Sequence, residues 1–123
     1  MELKAIAEEL VAGCREGREA ENLKKLYGPD AVSVEAVDMS GMGRETHGVD
    51  GIQGKHDWWN ANYEATGASV SDPMLHGEDR FAVIFEVQGK EKATGEAFDM
   101  KEVAVYHVAG GKIVREEFFY PMG

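Results

Sequence analysis

The feature that most constrains the fold is a change of hydrophobic period near the middle of the chain. Up to about residue 64, apolar residues recur every three or four positions, which is the spacing of amphipathic helices. From Ser69 onward, apolar and polar residues alternate, which is the spacing of half-buried strands. A chain whose helices precede its strands predicts an α+β protein, with helices on one face of an antiparallel sheet.

Three segments carry the helical spacing. The first covers residues 2–16 and is expected to stop at Gly17. The second is shorter and is expected to end at Gly28, because Pro29 disfavours a helical conformation in the residue before it. The third covers residues 49–64. The first two present an apolar stripe made of Leu3, Ile6, Ala7, Leu10, Val11, Cys14, Ala20, Leu23, Leu26 and Tyr27.

The strand half predicts a four-stranded meander. Its strands are expected at residues 70–75, 81–87, 98–108 and 113–120. Pro73 predicts an edge position or a bulge in the first of them, and Gly110-Gly111 predicts the last hairpin turn. An additional short strand is expected at residues 31–37. The glycine-rich stretch 38–48 is interpreted as an exposed loop, with Met39 and Met42 as ordinary loop residues rather than a lid.

Length and charge limit the possible partners. The 123 residues correspond to a single domain, residues 1–123. Thirteen Lys and Arg residues against 23 Asp and Glu give a net charge of −10, which disfavours nucleic acid and anionic membrane surfaces. No apolar run reaches the roughly 18 residues that span a bilayer, and no signal peptide is recognisable.

Cysteine, histidine and glycine spacing exclude several classes of site. Cys14 is a lone cysteine, so no disulfide can form, and a reduced thiol suits a cytoplasmic protein. The four histidines do not have the spacing of zinc ligands, and no dinucleotide-binding, phosphate-loop or nucleophile-elbow motif occurs. We therefore expect neither a metal nor another cofactor.

Three segments resemble the SnoaL-like proteins of the nuclear-transport-factor-2-like superfamily. They are the tail Gly-Lys-Ile-Val-Arg-Glu-Glu-Phe-Phe-Tyr at 111–120, the segment Leu-Tyr-Gly-Pro-Asp-Ala-Val at 26–32 and the segment Gly-Val-Asp-Gly-Ile at 48–52. The order of elements agrees along nearly the whole chain.

The resemblance implies an α+β cone, in which three helices pack in the concave face of a strongly curved sheet. It also implies a pocket at the open end and a homodimer formed through the outer sheet face. Ketosteroid isomerases, polyketide cyclases and dehydratases belong to this superfamily, as do members without activity. Catalytic members often carry an Asp or a His–Asp pair on the last strand. Here those positions are Glu116 and Phe118, which weakens a direct transfer of that chemistry.

The carboxylates Glu102 and Glu116 are the first catalytic candidates. A three-residue hairpin loop with a glycine bulge would pair 106 with 114, 104 with 116 and 102 with 118. Both carboxylates would then share an apolar face, where desolvation raises a carboxyl pKa and favours proton abstraction next to a carbonyl. A two-residue turn would instead pair 108 with 113 and turn Glu117 inward beside Glu102. The sequence leaves both registers open, as well as an ordinary strand role for these glutamates.

His56 is the third catalytic candidate, because helical spacing puts it on the inward stripe with Ile52, Trp59 and Tyr63. A packing role is its alternative. Aromatic residues are expected to line the pocket and contact the substrate, and Tyr106 or Tyr120 would polarise a carbonyl. The predicted substrate-binding set is Trp59, Tyr63, Phe85, Tyr106, Phe118 and Tyr120.

Three functional hypotheses follow. The first is a cofactor-free isomerase, cyclase or dehydratase-like enzyme acting on a small apolar carbonyl compound. The second is a small-ligand binder without catalysis. The third is a dimeric interaction module whose pocket is filled by Trp59, Phe85 and Phe118. In all three, an apolar outer face containing Val103, Val105 and Phe119 favours dimerisation.

Overall fold

The computed structural model describes residues 1–38, 41 and 43–121, and these residues form three helices and seven strands. Met39 and Met42, expected to be loop residues, lie outside the described residues. In chain order the elements are α1 (Leu3–Glu16), α2 (Glu19–Leu26), β1 (Tyr27–Val34), β2 (Glu45–His47), α3 (Gly48–Asn62), β3 (Tyr63–Val70), β4 (Met74–His76), β5 (Arg80–Glu91), β6 (Ala97–Ala109) and β7 (Lys112–Phe119).

The predicted α+β class is confirmed, and all seven strands belong to one curved sheet. The strand order is β2-β1-β7-β6-β5-β3, and β4 pairs with β5 beside that path. The sheet is mixed because β1 runs parallel to β7, whereas the other pairs are antiparallel. The parallel pair joins the short first strand to the C-terminal meander.

The first two helices bury the apolar residues that the sequence pattern places on one side of them. The helix α1 ends at Gly17, as predicted, in a left-handed conformation. Ile6, Leu10 and Leu23 are buried against the concave side of the sheet. No helix among the described residues is long and apolar enough to cross a membrane.

Several element boundaries differ from the prediction: β1 covers Tyr27–Val34 rather than 31–37, α3 ends at Asn62 rather than at residue 64, and β5 continues to Glu91 instead of ending near residue 87. Tyr27 begins β1 rather than ending α2. Residues 63–70 form β3, so the strand expected at 70–75 is wrong: β3 ends at Val70, and the short β4 begins after Pro73. The Tyr63 N–H still donates to the Trp59 carbonyl as in a helix, but the Tyr63 backbone is extended, with φ −130° and ψ 148°, and the residue pairs with Glu91 of β5. The glycine-rich loop also contains β2, which the sequence pattern did not indicate.

A close strand approach helps to bend the sheet. Gly89 of β5 faces β3, and an added Cβ would lie 2.2 Å from the Glu64 carbonyl oxygen. Next to it, the β3–β5 register shifts between Ala65 and Gly67. Bulges increase local twist and bend strands. The register shift at this position therefore adds to the curvature of the sheet.

The last hairpin combines features of both expected registers. Gly110 and Gly111 have φ values of 59° and 75°, so they form a two-residue turn. Val108 then pairs with Ile113, but a bulge follows, and Tyr106 pairs with Glu116. The predicted pairs 106–114, 104–116 and 102–118 are therefore wrong.

The bulge nevertheless restores the expected face for the glutamates. Glu116 is 1% exposed and faces the helices, whereas Glu117 faces away and pairs with Arg115 at 2.6 Å. Ile113 is buried in place of Val114, which is 37% exposed. The extra residue in the bulge shifts the alternation by one position.

Candidate active site

A cavity of about 760 Å³ lies between the helices and the concave face of the sheet. Residues of all three helices and of β1, β3, β5, β6 and β7 contribute to its lining. Its volume is in the range of small-molecule sites. Most of the wall is apolar, and its larger side chains are Leu10, Leu23, Trp58, Trp59, Phe85, Met100 and Phe118.

The deep end of the cavity contains Glu116. Strand pairing aligns Ser33, Glu116 and Tyr106 across β1, β7 and β6. The hydroxyl of Ser33 donates to Glu116 Oε2 at 2.8 Å, and the hydroxyl of Tyr27 donates to Glu116 Oε1. Both carboxylate oxygens therefore have a neutral donor from β1.

Glu102 lies further along β6, four residues from Tyr106, and pairs with Phe85. At about 3.3 Å per residue, its Cα lies roughly 13 Å from that of Tyr106. Extending the β6–β7 register by one residue puts Tyr120 beside Glu102. The Tyr120 hydroxyl donates to Glu35 Oε2 at 3.1 Å. The cavity thus has polar groups at two separate levels.

Lys55 of α3 connects the two levels. Its ammonium lies 2.9 Å from Glu35 Oε1 and donates to Ser33 Oγ, which in turn donates to Glu116. The ammonium also lies 4.9 Å from the ring centroid of Phe118. An ordered chain of polar groups therefore runs from Glu35 to Glu116.

Three polar side chains in the cavity do not take part in this series of hydrogen bonds. Within the described residues, the side chains of Glu102, His56 and Tyr106 make no hydrogen bond, although all three line the cavity. Polar groups facing an apolar cavity are expected to find a partner. These three are therefore available to a ligand.

Their surroundings change their acidity. Burial, together with the negative charges of Glu35 and Glu116, raises the pKa of Glu102 to about 7, even though the Lys55 ammonium opposes the shift. Burial lowers the pKa of His56, so the imidazole is neutral at pH 7. Burial also raises the pKa of Tyr106 well above its usual range, so its hydroxyl keeps its proton.

The cavity brings together eight of the nine predicted site residues, which are Glu116, Glu102, His56, Trp59, Phe85, Tyr106, Phe118 and Tyr120. Tyr63 is the exception. As the first residue of β3, it lies in an adjacent cleft, with its ring centroid 5.7 Å from that of Phe98. Trp59, Phe85 and Phe118 line the cavity and do not fill it, contrary to the third hypothesis.

Sequence reasoning missed Tyr27, Ser33, Glu35 and Lys55. Lys55 carried a signal, because it shares the stripe of Ile52 and Trp59 at helical spacing. Ala31, Ser33 and Glu35 occupy every second position, which predicts that they share one face of a strand. No pattern signalled that Tyr27 would contact Glu116, 89 positions away.

Comparisons with known proteins agree with this architecture. A SnoaL-like domain model matches residues 1–120. Among curated proteins, none matches this sequence. A Mesorhizobium loti structure, described as a candidate SnoaL-like polyketide cyclase and also as a carbohydrate phosphatase, has a TM-score of 0.89 at 36% identity, covering 98% of this chain and 100% of that one.

Two more distant structures show the fold alone. A candidate polyketide cyclase from Pseudomonas putida has a TM-score of 0.72 at 18% identity, covering 99% of this chain and 93% of that one. TerC, co-crystallised with polyporic acid, has a TM-score of 0.70 at 21% identity, covering 96% and 88%. Similar folds host different activities, so the chemistry must be argued from the cavity.

Proposed function

The chain belongs to the SnoaL-like domain family, and on that basis we propose that it binds a small, largely apolar carbonyl compound and catalyses proton transfer on it without a cofactor. The observation that carries the proposal is Glu102, which has no hydrogen-bond partner within the described residues, lines an apolar cavity and has a pKa raised to about 7. Such a carboxylate suits removal of a proton next to a carbonyl at neutral pH. The description of the Mesorhizobium loti relative as a candidate polyketide cyclase supports this class of reaction.

In the proposed reaction, the Glu102 carboxylate takes a proton from the carbon next to the carbonyl. The electron pair of the broken C–H bond passes to the carbonyl oxygen, which becomes an enolate. Lys55 has three donor hydrogens, and Ser33 and Glu35 engage two of them. The third hydrogen of the ammonium would stabilise the enolate oxygen, whereas the Tyr120 hydroxyl donates its proton to Glu35. Where a carbon–carbon double bond is conjugated with the enolate, the electron pair re-forms the carbonyl, the double bond moves by one position, and Glu102 returns the proton to the far carbon, which completes an isomerisation.

The deep end of the cavity would bind and orient the ligand. Tyr106, roughly 13 Å along β6 from Glu102, and His56 of α3, which is influenced by the Glu116 charge, offer hydrogen bonds to a second polar group. Glu116 is a positioning residue in this proposal, because Tyr27 and Ser33 already donate to its two oxygens. This revises the shuttle between Glu102 and Glu116 that the sequence suggested.

Hydrogen exchange tests the proposal without knowledge of the natural substrate. We would follow deuterium incorporation into 2-tetralone, in buffered D₂O, by NMR. Wild-type protein should accelerate exchange above buffer, and Glu102→Gln should reduce the enzymatic rate about 100-fold or more. Glu64→Gln, which changes an exposed glutamate on β3, is the matched control. No acceleration by the wild type, or equal rates for wild type and Glu102→Gln, would contradict the proposal.

A ligand binder without catalysis is the second candidate. It is favoured by the internal hydrogen bonds that occupy both oxygens of Glu116. Binding of apolar ketones without any exchange of their protons would support it over the enzyme.

We also propose a homodimer that forms through the outer sheet face and acts in the cytoplasm, where Cys14 remains reduced. Phe119 lies on β7 and is 52% exposed, next to Val103 on β6. Exposed apolar surface of this kind favours association. Sedimentation of a monomer at tens of micromolar protein would contradict the dimer.

A further inference from the structure

The ionisable side chains of the cavity are unequally divided by charge. Among the described lining residues, Glu19, Glu35, Glu102 and Glu116 carry carboxylates, whereas Lys55 is the only lysine or arginine. His56 does not alter this balance, because burial keeps the imidazole neutral. The walls therefore carry net negative charge when the glutamates are ionised.

The one cation is already compensated. Lys55 forms an ion pair with Glu35 at 2.9 Å, and both side chains are largely shielded from solvent, with 19% and 25% exposure. A partly buried pair of this kind is screened less by solvent and salt than a surface pair. An incoming anion would have to compete with Glu35 for the ammonium.

The two other inward carboxylates have no cationic partner within 4 Å among the described residues. Glu116 receives its hydrogen bonds from the neutral hydroxyls of Tyr27 and Ser33, so neither donor brings a positive charge to this carboxylate. Within the described residues Glu102 has neither a hydrogen bond nor an ion pair, and its pKa is raised first by burial and then by the negative charges of Glu35 and Glu116.

We infer that Glu102 also acts as a charge filter: the cavity accepts uncharged ligands and rejects those that carry a free carboxylate or phosphate. This inference deepens the proposed function and rests on it. An anionic ligand would add a negative charge beside Glu102 in surroundings where charges interact strongly. The proposed enolate adds no net negative charge to the cavity, because Glu102 becomes neutral when it takes the proton.

Equilibrium dialysis with two probes of similar size tests the filter. The probes are 2-acetonaphthone, which is uncharged, and 2-naphthoate, which is an anion. We would measure their affinities at pH 8.5, above the pKa of about 7 for Glu102. The proteins are wild type, Glu102→Gln, Lys55→Met and the control Glu64→Gln.

For the wild type we expect binding of 2-acetonaphthone and at least tenfold weaker binding of 2-naphthoate. Glu102→Gln should strengthen 2-naphthoate binding about tenfold and change 2-acetonaphthone binding less than twofold. Lys55→Met should weaken 2-naphthoate binding further and by more than it weakens 2-acetonaphthone binding, and Glu64→Gln should change neither affinity. These opposite effects separate a charge filter from the general preference of an apolar cavity for neutral molecules.

Other results would overturn the inference. An unchanged affinity of Glu102→Gln for 2-naphthoate, or an equal gain for both probes, would show that its charge does not select ligands. Failure of both probes to bind any of the four proteins would overturn the filter and the proposed ligand class together. A working filter in a protein without 2-tetralone exchange would contradict only the proposed catalysis.

Discussion

Glu102→Gln should make the protein more stable at alkaline pH, although it removes the proposed catalytic base. In the folded protein, burial and neighbouring carboxylates raise the pKa of Glu102 from 4.5 to about 7. The folded state therefore binds this proton more tightly than the unfolded state does. Stability decreases as the pH rises from about 4.5 to about 7 and is then constant with respect to this group.

The size of the effect follows from the shift. Each pKa unit corresponds to about 1.4 kcal/mol, so the full shift amounts to about 3–4 kcal/mol above pH 7. Glu102 retains partial contact with solvent, which screens part of this energy, so we expect a gain of about 1–3 kcal/mol for Glu102→Gln at pH 8. Below pH 4.5, where the carboxyl is neutral in both states, the variant and the wild type should be about equally stable.

Urea denaturation from pH 4 to pH 8.5 measures this difference directly. The expected signature is a gap between Glu102→Gln and wild type that opens between pH 4.5 and pH 7. Glu64→Gln should show no such gap, because Glu64 is exposed. A constant difference at every pH, or a variant that is less stable than wild type at pH 8, would refute the description of Glu102 as a desolvated and electrostatically destabilised carboxylate.

Two further predictions concern the deep end of the cavity. Tyr27→Phe removes a buried hydrogen bond to Glu116 and should lower the free energy of unfolding by about 2 kcal/mol in urea denaturation; Tyr63→Phe is the control, and equal effects of the two would contradict the role of the hydrogen bond. Burial raises the pKa of the Cys14 thiol to about 12, so the folded protein should react with a disulfide reagent at pH 8 about 100-fold more slowly than urea-unfolded protein. Equal rates would show that the thiolate forms freely in the folded state.

Sequence reasoning identified much of the candidate site because the relevant faces have regular periods. Glu102 and Tyr106 are four residues apart on one strand, so alternation alone assigns them to the same face. His56 and Trp59 share a helical stripe for the analogous reason. Tyr63 belongs to the same stripe, yet it lies outside the large cavity, because α3 ends at Asn62 and strand pairing takes over.

The last hairpin shows why periodicity did not suffice everywhere. Gly110 and Gly111 indicate a turn, but the bulge after Ile113 depends on which side chains the core can bury. Moving the register by one residue exchanges the inward and outward faces of a strand. The inward position of Glu116 therefore results from the bulge, which no local pattern in the sequence specifies.

By itself, the sequence determined the α+β class, the position of most helices and strands, and the apolar stripes that meet in the core. These properties depend on neighbours within a few residues of each other, so they can be recognised in a linear pattern. Only the tertiary structure decided the parallel pairing of β1 with β7, the hydrogen bonds that join Lys55 to Glu116 through Ser33, and the isolation of Glu102. Those properties depend on desolvation and on contacts between residues far apart in the chain, which exist only when the sheet curves around the helices.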